Sequence, residues 1–483
     1  MIAGVGSVQQ HPTAPADGCE PVELMIAAVN EAADDAGSRA LLDRIGLVLV
    51  PKGIWGYPDP GRLVAQRVGA ARATTVLAEI GVLQTTLLAR AAAAVAAGDV
   101  EVALVVGGEA KHRARLAARA GEALTETDQP GAAPDDLLLP SGEIITRLEI
   151  ERGLAVPACQ YALVESALRH ASGRTVEEHS AHLGALWARF NEVAQANPDA
   201  WDRQPLDAEQ ISDPASPGNR MVAAPYTRRL CSQWDVDQAV ALLLCSHDTA
   251  RALGVEPERV VFPRAVVESN VMTPLTARRE LYRCVAFGLA GERLRAVTSL
   301  APRDADHVDL YSCFPAAVQV QANELGIDLD RQLTVTGGMT FAAGPLNSYA
   351  LHAIATMVGV LREDRGATGL VTAVSGMLTK QGMVLLGTEP PAPGFCSEDV
   401  SDDARRMTDT LAVVDQLDGP ARVVGCTVAH SGPVAAQAIA VVESPGGQRT
   451  IATSTDTAVL TVMTDEDWCG RTVRIDGAIL HPA

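Results

Sequence analysis

Gln84-Thr-Thr-Leu-Leu-Ala-Arg-Ala-Ala-Ala-Ala-Val-Ala-Ala97, closed by Gly98-Asp99, is the stretch on which the fold turns. It is built from strong helix formers and is apolar on nearly every face apart from Arg90. A helix that is apolar all round is predicted to be buried on all sides. A strand over 100–106 follows it and runs into Gly107-Gly108. Upstream, Pro21 suits a helix start, and Val22, Leu24, Met25, Ala28, Val29 and Ala32 keep helical spacing as far as Gly37. An apolar strand over 45–50 ends at Pro51.

A similar succession recurs far down the chain. A strand over 307–311 leads to Ser312-Cys313-Phe314, a second apolar helix covers 349–361, and a strand over 369–374 runs into Ser375-Gly376. Two equivalent halves, each with a buried central helix, imply a duplicated fold with helices between two sheets. Helix–strand alternation also recurs in any α/β protein, so the pattern alone leaves both readings open.

Between the halves, about 110–230 differs in character. It holds the helix Val176–Ala196, opened by a capping box of Thr175 and Glu178, and Pro- and Asp-rich loops at 128–136 and 198–219. It reads as an insertion capping the active-site side, after which a strand over 239–245 completes the first half. A stiff linker, Pro390-Pro391-Ala392-Pro393-Gly394, precedes short β runs over 421–429, 434–443, 448–454, 457–463 and 472–480. These predict a small antiparallel barrel of OB-like type. The units are therefore 1–258 with its insertion, 259–390, and 401–483, the last folding separately.

The composition bounds the function. At 483 residues the chain calls for two or three domains, and 47% hydrophobic with 20% charged residues is globular. No apolar run reaches bilayer length, and the N-terminus lacks a basic leader, so no membrane span and a cytoplasmic location are expected. A net charge of −20 repels nucleic acid but leaves room for a local basic patch holding a phosphorylated cofactor. Nine cysteines without a C-x-x-C pair argue against a zinc cluster, and no metal site is predicted.

Three stretches resemble thiolases: Asn219-Arg-Met-Val-Ala-Ala-Pro-Tyr-Thr227, Val308-Asp-Leu-Tyr-Ser-Cys-Phe-Pro315 and Thr334-Val-Thr-Gly-Gly-Met-Thr-Phe-Ala-Ala-Gly-Pro345. The resemblance covers about 1–390 and looks most like actinobacterial thiolase-like proteins related to the sterol-carrier-protein type, with an extra C-terminal barrel. It implies the duplicated, five-layered αβαβα thiolase fold with a loop-domain insertion.

It also implies a Cys nucleophile at the opening of the first buried helix, a His before Pro345, a second Cys before Gly376, and an Asn or His binding the oxyanion-hole water. This sequence has Gly81, Gly344, Val374 and Tyr311 at those positions. Cys313, His352 and Lys380 are the remaining candidates for catalysis, with Tyr311 beside them. Gly337, Gly338, Ser375 and Gly376 are expected to form the substrate-binding loops.

The resemblance implies a coenzyme A thioester as ligand, with no tightly bound cofactor. Three readings stay open. The chain is a thiolase-like protein of lipid or acyl-CoA metabolism without thiolase activity, binding an acyl thioester or a partner enzyme. Alternatively it is an acyl-CoA acyltransferase or thioester hydrolase with a relocated site. In the third reading it is a structural subunit whose barrel docks a catalytic homologue.

Overall fold

The computed structural model describes residues 1–392 and 394–482. Pro393, in the predicted linker, and Ala483, at the end of the predicted barrel, lie outside the described residues. The strands in chain order are Ile2–Gln9 (β1), Ile45–Pro51 (β2), Thr74–Ala78 (β3), Val102–Ala110 (β4), Asp136–Leu138 (β5), Met221–Ala223 (β6), Tyr226–Thr227 (β7) and Asp237–Cys245 (β8). Phe262–Ser269 (β9), His307–Asp309 (β10), Thr368–Ser375 (β11), Lys380–Gly387 (β12) and Cys396–Asp399 (β13) follow in the second half. Gly419–Ser431 (β14), Val434–Glu443 (β15), Arg449–Ser454 (β16), Thr472–Asp476 (β17) and Ile479–His481 (β18) end the chain.

The first sheet has the order β1-β8-β4-β2-β3-β5, and the second β10-β11-β12-β9-β13. β4 and β8 are buried along their whole length, as continuous apolar runs in central positions must be. The helix Gln84–Ala97 touches β2, β4 and β8 on one side and β9 and β12 on the other. The helix Tyr349–Glu363 likewise touches β1 and β8 as well as β10 and β11. Helix Pro21–Asp35 covers the outer face of the first sheet, and helix Val285–Thr298 that of the second. The result is the five-layered αβαβα thiolase-like fold.

One detail departs from the sequence reading. Ala93, Ala96 and Ala97 are exposed, so Gln84–Ala97 is buried on all sides only in its first turns. Alanine suits either setting, because its methyl group costs little in water and it is the best helix former. All-round apolarity therefore overstated the burial at that end.

The C-terminal region is a closed five-stranded barrel. β14 pairs β15, β15 pairs β16, β16 pairs β18, β18 pairs β17, and β17 returns to β14. The run 457–463, predicted as a strand, is instead the helix Thr457–Asp465. Asp456 caps it by accepting the Ala458 N–H, and Val459, Leu460 and Met463 join the barrel's interior cluster. That spacing, i, i+1 and i+4, is helical, but β-branched residues within it disguised the period.

The barrel is not an isolated bead. Ile439, Val441 and Ile451 belong to the same apolar cluster as both sheets and the central helices. From the insertion, β6 pairs β14 at Ala223 and Ala429, the Ala224 N–H donates to the Val428 carbonyl (3.0 Å), and helix Pro157–Ser172 packs along β14. The fully buried Arg449 of β16 pairs with Glu443 (2.9 Å) and donates to the main-chain carbonyls of Arg278 and Arg279. No helix among the described residues is long and apolar enough to cross a membrane.

Candidate active site

The glycine-rich loop at 334–338, which follows helix Pro315–Leu325, is held by one buried carboxylate at the end of β10. Asp309 Oδ2 accepts from the hydroxyls of Thr334 (2.8 Å) and Thr336 (2.9 Å) and from the N–H groups of Val335 (3.0 Å) and Thr336 (3.1 Å). Its Oδ1 accepts the Tyr349 hydroxyl at 2.9 Å. Asp309 is wholly buried, and five donors replace its hydration. This clamp fixes the glycine-rich loop independently of any catalysis.

The paired glycines follow from that geometry. Gly337 has φ 98°, and a side chain there would run into Ala194 of helix Val176–Ala196. Gly338 has φ 77°, and a Cβ on it would stand 2.6 Å from Phe190 and 2.9 Å from Ser312 Oγ. Both are required by backbone conformation and close packing. The Ser312 hydroxyl in turn accepts the Met339 N–H at 3.0 Å.

The position expected to open the first buried helix is crowded. Gly81 has φ 106°, and a Cβ on it would lie 2.8 Å from Pro140 Cβ and 3.2 Å from Ile144. Gly376, at φ 67°, would place a Cβ 3.4 Å from the same Ile144 and from Met272. The segment from Pro140 to Ile144 thus lies over the Gly81 turn and the Ser375-Gly376 loop together. A Cβ at Gly344 would stand 2.5 Å from Met339 Cε, and Val374 is 3% exposed inside β11. None of Gly81, Gly344 and Val374 carries a group that can move a proton.

The remaining candidates do not gather around one point. Lys380 is buried at the start of β12 and donates to the Gly81 carbonyl at 2.9 Å, so it does stand at the predicted nucleophile position. Burial lowers its pKa, against the opposing pull of Glu268. Tyr311 stacks edge-on against Tyr349, with ring centroids 5.7 Å apart. Cys313 is buried in the cluster that holds Tyr161 and Phe314, and burial pushes its thiol up to about 12. His352 lines a cavity of about 10 Å³ with Asn197, Gln238 and Thr336; burial lowers its pKa to about 3, and its Nε2 has no hydrogen-bond partner. Asp199 lines the same small cavity, and no hydrogen bond joins it to His352. Among the described residues no group of three His, Cys, Asp or Glu side chains could hold a metal ion.

Sequence reasoning missed Glu268. Its carboxylate, at the end of β9, accepts from the hydroxyls of Thr85 and Thr86, the latter at 2.9 and 3.0 Å. Both threonines lie in the first turn of helix Gln84–Ala97, where the helix dipole favours negative charge. The signal was a single acid ending the apolar run Ala265-Val-Val-Glu268. Burial pushes Glu268 up to about 7, and the threonine hydrogen bonds only partly offset it.

The folded protein therefore holds a proton, between about pH 4.5 and 7, that the unfolded chain has released. Stability from this group is present below that window and lost as pH rises through it. Glu268→Gln removes the titration. The variant's stability relative to the native chain is expected to rise by about 3 kcal/mol from pH 4.5 to 8. Urea unfolding at several pH values checks this, and a stability difference that stays flat across the range refutes it.

This five-layered fold, with its clamped glycine-rich loop, is that of a thiolase-like protein. The chain is similar, throughout its length, to a monomeric SCP2-thiolase like protein type 1 from Mycobacterium smegmatis: 25% identity, 99% of this chain and 98% of that one, TM-score 0.82. An Ltp2-ChsH2(DUF35) aldolase shares the fold at 21% identity and TM-score 0.60, over 80% of this chain and 97% of that one. The Acat5 thiolase from Ascaris suum, solved in complex with coenzyme A, does so at 16% identity and TM-score 0.56, over 80% and 98%.

Among curated proteins, the chain is 27% identical over 256 residues to the 17-hydroxy-3-oxo-4-pregnene-20-carboxyl-CoA lyase of Mycobacterium tuberculosis, covering 50% of this chain and 63% of that protein. It is 23% identical over 225 residues to the acetyl-CoA acetyltransferase of Methanocaldococcus jannaschii, covering 42% and 54%. The match thus spans less than two thirds of either curated relative. No protein-family model matches the chain.

Proposed function

We propose that this thiolase-like protein binds an acyl-coenzyme A thioester without carrying out thiolase chemistry. Pro140 lying 2.8 Å from where a Gly81 side chain would begin is the observation that carries the reading. A nucleophile at that position has neither a side chain nor room for one. The similarity to an acetyl-CoA acetyltransferase and a CoA lyase, and the coenzyme A bound by the Ascaris thiolase, support the ligand class. The loops at Gly337-Gly338 and Ser375-Gly376 would border the thioester. The same reading keeps three units, 1–258, 259–390 and 401–483, in a protein of the cytoplasm.

Calorimetric titration with acetyl-CoA and a long-chain acyl-CoA is the test. Saturable binding in the range of about 1 μM to 1 mM, where enzyme substrates usually fall, is expected. Absence of binding to both would remove the thioester reading and leave that of a subunit for a partner enzyme. The Ltp2-ChsH2(DUF35) aldolase, a complex by its name, supports that second reading.

Lys380 on the Gly81 carbonyl, with Glu268, Thr85 and Thr86 around the same helix start, favours a relocated acyltransferase or hydrolase site. Thioester hydrolysis abolished by Glu268→Gln would establish it.

A further inference from the structure

Two of the nine cysteines meet inside the C-terminal barrel, both as buried free thiols. Cys426 lies on β14, and Cys469 lies in the loop between helix Thr457–Asp465 and β17. Main-chain bonds hold that loop against the strand: the Gly470 N–H donates to the Val423 carbonyl (2.8 Å), and the Val423 N–H to the Arg471 carbonyl (2.9 Å). Just beyond this pairing the Cys426 thiol donates a hydrogen bond to the Cys469 sulfur. That bond favours thiolate on Cys469 and holds its pKa below the usual thiol value, although burial opposes it. The same bond, with burial, keeps Cys426 well above that value. One sulfur is thus readied as a thiolate, and the other is a thiol in contact with it.

A buried cation stands beside the pair. Arg169, in the last turn of helix Pro157–Ser172, donates through Nη2 to Asp467 at 2.8 Å, and its Nη1 has no hydrogen-bond partner among the described residues. Its positive charge favours thiolate on both sulfurs, and Asp467 works the other way. Asp467 also takes the His170 ring (2.8 Å) and the Cys469 N–H (2.9 Å), which anchors the loop that carries Cys469. Ser166 positions the strand and does not activate sulfur: its hydroxyl accepts the Cys426 N–H (2.9 Å) and donates to the Leu163 carbonyl (2.9 Å). Cys426 and Arg169 line a cavity of about 280 Å³ together with Met463 and Glu466. Water takes about 30 Å³ per molecule, so a small polar oxidant has room to reach the thiols there.

We infer that Cys426 and Cys469 form a peroxide-reactive dithiol, in which Cys469 attacks the peroxide and Cys426 closes a disulfide. In the first step the Cys469 thiolate bonds to one peroxide oxygen, the O–O bond breaks, and the other oxygen leaves as water after taking a proton. In the second the Cys426 sulfur attacks the resulting sulfenic acid, giving up its own proton, and a second water leaves as the S–S bond forms. The peroxide gains the two electrons that the thiols lose. A dithiol reductant reverses the bond by exchange, so the pair works as a switch. Oxidation staples the loop of Asp467 to β14, at the joint between the barrel and the inserted helix Pro157–Ser172. The pair belongs to the barrel, and this site stands whether or not the chain binds an acyl thioester.

Treating the folded full chain with hydrogen peroxide, blocking the remaining thiols and mapping its peptides by mass spectrometry tests this. The expected product is a peptide pair joined between Cys426 and Cys469, lighter by two hydrogen atoms and separated again by dithiothreitol. In Cys426→Ser the attacking sulfur has no resolving partner, so dimedone should trap a sulfenic acid on Cys469. Arg169→Gln should slow formation of the link several-fold, and Arg169→Lys, which keeps the charge, should slow it less. If these variants do not fold, the map of the native chain still decides, because it needs no substitution. Three results overturn the inference: no link in the folded chain, a link that forms only after denaturation, or oxidation confined to Met463. So does Cys469→Ser in which Cys426 is trapped by dimedone as fast as Cys469 is in Cys426→Ser.

Discussion

Supplied with acetoacetyl-CoA and coenzyme A, the purified protein is expected to produce no acetyl-CoA, and supplied with acetyl-CoA alone it should not condense it. The covalent route needs a thiolate, a base to generate it and a second acid/base, and residues that act as such a unit lose nearly the whole rate together. By the spacing of the resemblance, the three positions hold Gly81, Gly344 and Val374. Neither Cys313 nor His352 supplies the missing thiolate or base. Burial holds Cys313 up at about 12, far from thiolate at neutral pH, and keeps His352 down at about 3, too weak a base to activate a thiol. A turnover above about 1 s⁻¹, the lower end of the usual enzyme range, measured by the loss of acetoacetyl-CoA absorbance, would overturn this.

Restoring the two missing side chains should not restore the reaction. The double variant Gly81→Cys/Gly344→His is expected to remain inactive and to lose stability. At Gly81 the backbone sits at φ 106°, which a cysteine adopts only under strain, and its Cβ would meet Pro140 at 2.8 Å. At Gly344 the new Cβ would meet Met339 Cε at 2.5 Å; the flexible methionine can yield, but the imidazole beyond it needs more room. Strain and overpacking together should cost about 2–5 kcal/mol. Denaturant unfolding measures that loss, while an assay for thiolysis measures the other half. A stable double variant with robust thiolysis would show that the pocket opens readily and that Pro140 is no barrier.

The architecture was legible because burial writes itself into composition. The largely apolar helices at 84–97 and 349–361, and the hydrophobic run at 239–245 of β8, are what a layer enclosed on both faces demands. The assignment of Gly81, Tyr311, Gly344 and Val374 to catalytic positions rests on the spacing that the resemblance supplies. What lay beyond reach were the pairings made across the fold. Nothing near Glu268 in the chain points to Thr85, and nothing near Arg278 points to Arg449. The glycine pair at 337–338 packs against Ala194 and Phe190 of the inserted region, neighbours that nothing local in the chain announces. The helix 457–465 was mistaken for a strand because seven residues rich in valine and threonine carry little information about period.

The pairing of β6 with the barrel also has a meaning in time. The Thr427 hydroxyl that bonds the Ala224 carbonyl comes 203 positions after it. At the usual rate of synthesis, about 5–20 residues per second, Ala224 emerges some 10 to 40 seconds ahead of that partner. During this interval the edge of the insertion has exposed backbone groups and no strand to pair with them. The N-terminal sheet can close earlier, as soon as β8 supplies the strand between β1 and β4. Birth of the protein is therefore expected in two acts, with the insertion left waiting for β14 and most exposed to chaperones, proteases and sticky neighbours while it waits.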